Sequence, residues 1–274
     1  MRTVVRTLGV VATVILLCPD PASGQTDYYN TDAGRPVRIE DAYPVERYAF
    51  ELQMAPLRME RSDDGAYHWE FEPEIAYGIF PATHVEVGVH LDLTDHEEGG
   101  RSLGMGGIEI AALHNLNLET RTLPAFAVAA EALLPVGAFA PDRVYPTVKA
   151  IATRTFRWMR VHVNGSYTLG PSPDITSGKD DLSRWMTGIA VDRTYPLRGA
   201  LLITDIYVEE PMHPGEELGW TAEAGARYQL DPFVALDAGF GRRFTGEDPA
   251  WFVTIGAARA FGIRSLIPVP GRRP

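Results

Sequence analysis

The chain has 274 residues, 45% of them hydrophobic, one cysteine and a formal net charge of -11. The hydrophobic share excludes a disordered chain, the charge argues against a nucleic-acid partner, and a lone cysteine excludes a disulfide framework. After the first 25 residues no run of 18 apolar residues occurs, which excludes a transmembrane helix in the body.

The chain opens on "MRTVVRTLGVVATVILLCPDPASGQ". Arg2 and Arg6 precede an apolar run over 8–17, and Ala22 and Gly24 fit the -3 and -1 positions before Gln25. The pattern predicts a cleaved signal peptide over 1–24 rather than a membrane anchor, because the apolar run is too short and a small-residue site follows it. Cys18 follows Leu17, a bulky residue where a lipobox wants a small one, so Cys18 leaves with the signal.

Residues 25–46 are polar and patternless, and are expected to form a periplasmic lead-in. From Arg47 the period becomes two. Strands are predicted over 47–60, 66–80, 83–94, 106–119, 125–136, 145–156, 158–169, 184–195, 200–210, 219–230, 233–244 and 250–262. Each is longer than a typical globular strand and long enough to cross a bilayer at a tilt. A tail over 263–274 follows.

The alternation divides each strand into two faces. In "AYHWEFEPEIAYGIF", Trp69, Phe71, Ile75 and Tyr77 oppose His68, Glu70, Glu72 and Glu74. In "THVEVGVHLDL", Val85, Val87, Val89 and Leu91 oppose Glu86, His90 and Asp92. Later strands set Val161 and Val163 against Arg160 and His162, and Trp220, Ala222, Ala224 and Tyr228 against Glu223 and Arg227. Pro73 cannot donate to a ladder and is expected to mark a bulge or a strand end.

Connections are expected to alternate between short turns ("PA", "TRTLP", "PLRG", "DP") and longer charged loops such as "TDHEEGGRSLGM". Aromatic residues fall at strand ends, among them Trp69, Phe80, Tyr145, Trp158, Tyr195, Trp220, Trp251 and Phe261. Short turns on one side, long loops on the other and aromatic girdles are the signature of a transmembrane barrel. Within a membrane every backbone polar group must be paired, so the sheet must close. The expectation is an all-β fold: a closed antiparallel transmembrane β-barrel of about twelve strands over 47–262.

The face expected to line the lumen carries Glu70, Glu72, Glu74, Glu86, Asp92, Glu131, Arg160, His162, Glu223, Arg227 and Asp237. Lys149 and Arg243 offset some of its negative charge. Charges lining a pore set ion selectivity, so an acidic lumen predicts a preference for cations.

The residues give no sign of catalysis, metal or cofactor. The seven histidines form no HExxH or paired Cys/His spacing, and "GMGG" lacks the Lys-Ser/Thr of a phosphate loop. His162 and Ser166 share a face but lie four residues apart, about 13 Å along a strand. Glu70 and Glu72 are about 7 Å apart, a spacing that would hold a glycosidase pair but equally a hydrated wall. An outer-membrane lipid or ester hydrolase, a non-conducting structural barrel and a soluble exported β-protein stand as alternatives to a channel.

Several stretches carry a family likeness: "EPEIAYGIFPATHVEVGV", "GMGGIEIAALHNL", "AAEALLPVG", "VHVNGSY" and "YQLDPFVALDAGFGRR". Through them the chain resembles the outer-membrane β-barrels of the MetA (meta-cleavage) pathway of phenol degradation, often called transporters. Gly107 stands where that family commonly has Asp. Phe261 fits the terminal aromatic favoured by barrel-assembly machinery, although 13 residues follow it. The resemblance implies the outer membrane of a Gram-negative bacterium, contact with its lipid and lipopolysaccharide, biogenesis by barrel-assembly machinery, and passage of small, aromatic or apolar compounds. It brings no defined substrate and no catalytic residue.

Overall fold

The computed structural model describes residues 30–62, 65–96, 100–173, 182–213, 215–246, 249–263 and 266. The leader expected at 1–24, and all of the tail but residues 263 and 266, lie outside the described residues.

Twelve strands follow one another without a helix: β1 (Ala49–Ser62), β2 (Tyr67–Phe80), β3 (Thr83–His96), β4 (Gly100–Asn115), β5 (Ala125–Leu134), β6 (Tyr145–Thr155), β7 (Arg160–Thr168), β8 (Ser183–Thr194), β9 (Ala200–Pro211), β10 (Gly219–Asp231), β11 (Val234–Arg243) and β12 (Ala250–Gly262). Each pairs antiparallel with its neighbour in sequence, and β12 pairs with β1. The sheet therefore closes and leaves no strand edge unpaired. The seam runs from Ala49 opposite Gly262 to Ser62 opposite Ala250. On its outer side the Phe50 ring stacks between Tyr77 (4.4 Å) and Phe261 (5.3 Å), which ties the first, second and last strands together.

The twofold period decides which face meets which medium. Val148, Val163, Ile189, Val253 and Ile255 point out and are exposed, while His162, Asn164, Glu223, Arg227 and Asp237 are buried within. This inversion of the usual arrangement is what a lipid surroundings requires of a barrel wall. Exposed rings of Phe80, Phe156, Trp158 and Tyr195 lie near one end, and those of Trp220, Phe244 and Trp251 near the other.

Three expectations need correction. Strand β4 begins at Gly100, so the expected loop "TDHEEGGRSLGM" shrinks to 97–99; the extra residues pair with Leu91–His96 instead. The β4–β5 connection spans 116–124 rather than five residues, held by Asn117 bonding to Pro124 and Phe126 and by Arg154 reaching the carbonyl of Leu123. Loop lengths thus differ less between the two ends than the sequence suggests. Finally, Tyr145 does not belong to a girdle. It is 1% exposed and faces inward, its hydroxyl donating to Asp142.

Pro73 does not end a strand. It pairs opposite Met54, beside a bulge in β1 at Ala55 and Pro56, and the β2–β3 register passes over Glu72 and Pro73. A residue without an N–H thus sits where the ladder is interrupted.

Candidate functional site

The interior is not an open tube. Residues 31–46, which form none of the twelve strands, run inside the barrel across the inner wall. The described turns β2–β3 (81–82) and β10–β11 (232–233) mark the end at which this belt lies, called here the turn end. Arg35 meets Asp237 on β11 and Glu51 on β1. Thereafter the belt passes β10, β9, β7, β6, β4 and β3, and reaches Gly78 on β2 before continuing into β1.

A chain with no strand partner must still satisfy its backbone, and here side chains of the wall do so. The amide of Arg38 donates to Glu223 (2.7 Å), Ile39 to Asp205 (3.0 Å), Glu40 to Asn164 (2.9 Å), Ala42 to Thr153 (3.0 Å) and Val45 to the Nδ1 of His84 (3.1 Å). Carbonyls are met as well: Arg227 donates to Arg35, Thr254 to Pro36, Asn164 to Glu40 and Asn115 to Ala42. At about 1 kcal/mol net for each bond, the belt is held by many modest ties rather than one strong one.

Glycine marks its track. A Cβ on Gly78 would lie 2.0 Å from the Glu46 carbonyl oxygen, and one on Gly225 would lie 2.6 Å from the Pro36 ring. Only a bare backbone admits the belt this close to the wall. The belt's apolar residues pack beside these gaps. Val37 and Ile39 join Met186, Ala190, Ile203 and Tyr207, and Ala42 joins Leu113, Ala125, Ala127 and Ile151.

The residues expected to line the lumen fall into networks. Asp237 accepts from Arg227 (2.6 Å) and Arg35 (3.2 Å). Asp192 holds Arg160 (2.6 Å) and the Nε2 of His162 (2.9 Å), while Arg160 also approaches Asp41 at 3.5 Å. Lys149 bridges Glu131 (2.5 Å) and Glu40 (2.6 Å). Toward the other end Glu70 lies near Arg58 and His68, Glu72 bonds His90 at 2.8 Å and Asp92 nears His68, while at the turn end Glu86 nears His84. Glu74 stands opposite Gln53 across the β1–β2 pair. Many of the wall's carboxyl groups are therefore partnered by arginine, lysine or imidazole groups that the alternation alone does not pair.

Within the belt, burial pushes the Asp41 carboxyl up to about 6, against the pull of Arg160 and His162. Burial raises Glu40 as well, despite Lys149.

Toward the loop end the interior opens into two polar cavities. One of about 330 Å³ is lined by Arg58, Glu70, Tyr207, Glu209 and Arg243 among others. The other, of about 200 Å³, is lined by Glu74, His90, Glu109, Tyr145, Lys149 and Phe139 among others. Arg38 and Glu72 belong to both.

His162 does not meet Ser166. Its Nδ1 lies 3.0 Å from the Thr153 hydroxyl and its Nε2 is taken by Asp192, and His162 and Thr153 are both fully buried beneath the belt. Among the described residues no group of three or more His, Cys, Asp or Glu is arranged to hold a metal ion.

Sequence reasoning missed Arg35, Arg38, Glu40 and Asp41. Two signals were present: "VRIED" itself alternates apolar and charged residues, and inward-facing glycines recur in strands that otherwise carry large side chains.

Closure, an apolar outer face and a charged interior define the class: a twelve-stranded outer-membrane-type β-barrel with an internal N-terminal segment. The fold is similar to that of the COG4313 outer membrane channel from Pseudomonas putida F1, with a TM-score of 0.56 and 11% identity over 84% of this chain and 100% of that one. It is also similar to the KdgM porin, with a TM-score of 0.51 and 11% identity over 78% of this chain and 99% of that one. At such identities the likeness is one of fold. No protein-family model and no curated protein sequence matches the chain.

Proposed function

We infer that this protein is an outer-membrane channel for small solutes, narrowed at its turn end by residues 31–46. The observation that carries the reading is the inversion of the wall: apolar side chains outward, ionisable and hydrogen-bonded side chains inward, around cavities large enough for small molecules. In this reading the leader directs export, barrel-assembly machinery inserts the chain, and lipid and lipopolysaccharide surround it. The solvated cavities support solutes with a polar or charged group. Phe139, Tyr145 and Tyr207 on their walls also admit an aromatic body, in keeping with the resemblance to the phenol-degradation barrels. The chain is not an enzyme in this reading, because His162 is committed to structural partners.

Membrane fractionation and planar-bilayer recording test the proposal together. The protein should enter the outer-membrane fraction, migrate differently on gels when heated, and carry current in KCl. A soluble, heat-insensitive product would sink the membrane reading. A tight seal with folded protein would leave a structural barrel.

A further inference from the structure

We propose that Arg38 is the specificity-determining residue of the channel, and that it receives the carboxylate of a small monoanionic solute. The inference rests on the channel reading above. Along the belt, Val37 and Ile39 are fully buried against the wall, and Arg38 between them is exposed to the interior. Its backbone is fixed by the bond from its amide to Glu223, which aims the side chain at the boundary shared by the two cavities.

The neighbouring cations are already occupied. Arg58 pairs with Glu60 and Glu70 and lies 3.6 Å above the Phe252 ring; Arg243 pairs with Glu60; Lys149 is held by Glu40 and Glu131; Arg35, Arg160 and Arg227 are held by aspartates. Among the described residues the Arg38 guanidinium makes no hydrogen bond or ion pair. A planar guanidinium presents a fork of donors that matches a carboxylate with two parallel bonds. Glu209 and Glu72, the latter already held by His90, lie in the same cavities, so the site leaves room for one carboxylate and disfavours a polyanion.

The test uses the full-length protein in planar bilayers, with butyrate as probe and butyramide as its neutral isostere. In KCl, butyrate should interrupt the wild-type current and butyramide should not. Arg38→Gln should abolish the interruptions and shift the reversal potential in a KCl gradient toward greater cation preference. Arg38→Lys should retain the reversal potential but shorten the interruptions, since a point charge lacks the fork. Heat-modifiable migration confirms that each variant is folded. Interruptions unchanged in Arg38→Gln, or equal effects of butyrate and butyramide on the wild type, overturn the assignment while leaving the channel intact. If no form passes KCl, the channel reading fails and this assignment fails with it.

Discussion

The guanidinium of Arg35 and the carboxylate of Asp237 meet inside the barrel at 3.2 Å, although 202 residues separate them in sequence. Both are nearly inaccessible, and Arg227 holds the other oxygen of the same carboxylate at 2.6 Å. Removing the shared anion leaves two buried arginines competing for Asp32 and Glu51. Asp237→Ala is therefore expected to cost about 3–5 kcal/mol, the range for breaking a buried pair from one side. Guanidinium unfolding in detergent micelles measures this. A midpoint equal to the wild type would show that the belt is not anchored here.

Gly78 offers a way to disturb the belt and leave the wall intact. The three atoms nearest to a Cβ at this position all belong to the backbone of Glu46 and Arg47. Gly78→Ala should push that backbone off β2 at a cost of about 3 kcal/mol. The barrel should still migrate as a heat-modifiable species, while trypsin gains access to Arg38 or Arg47 and conductance rises. Wild-type resistance to trypsin in this variant would refute the close approach.

The barrel was legible and the belt was not, for one physical reason. A strand that divides lipid from water must alternate, and a one-residue slip would turn every side chain to the wrong medium, so Val161, His162 and Val163 announce their faces locally. Strand ends were less legible, as Gly100–Ser102 show: small and polar residues continue a hairpin beyond the apolar band. The belt's partners are single side chains far away in sequence. Ile39 reaches Asp205 across 166 residues, and nothing local in either segment encodes that bond. The same holds for the pairing of wall charges, which turned an expected acidic surface into a set of networks.

The seating of the belt should depend on pH through its own carboxylates. Asp41 sits at about 6 and Glu40 is raised in the same direction, both by burial. A carboxylate raised on seating takes up a proton, so its contribution is fully present below the ordinary carboxylate range of about 4 and is lost as pH rises through about 6. Cleavage at Arg38, normalised at each pH to trypsin's activity on an unfolded substrate, and any conductance the belt restrains should therefore be greater at about pH 7.5 than at about pH 5. Asp41→Asn should flatten the upper part of that window, because Asn cannot ionise. An opposite slope would place the dominant proton elsewhere.

His162 distinguishes a structural network from a catalytic one. Its ring joins Thr153 to Asp192, and Thr153 in turn receives the Ala42 amide, so the imidazole couples β6, β7, β8 and the belt. His162→Ala removes both bonds from a fully buried site and should destabilise the barrel by about 1–3 kcal/mol. Ser166, partly exposed and not bonded to His162, should tolerate Ala within about 0.5 kcal/mol. Neither variant should alter the hydrolysis of a short-chain nitrophenyl ester above the detergent background, because the imidazole has no path to a solute while the belt is seated. Turnover by the wild type that disappears in Ser166→Ala would instead establish the hydrolase alternative, with Ser166 as its nucleophile.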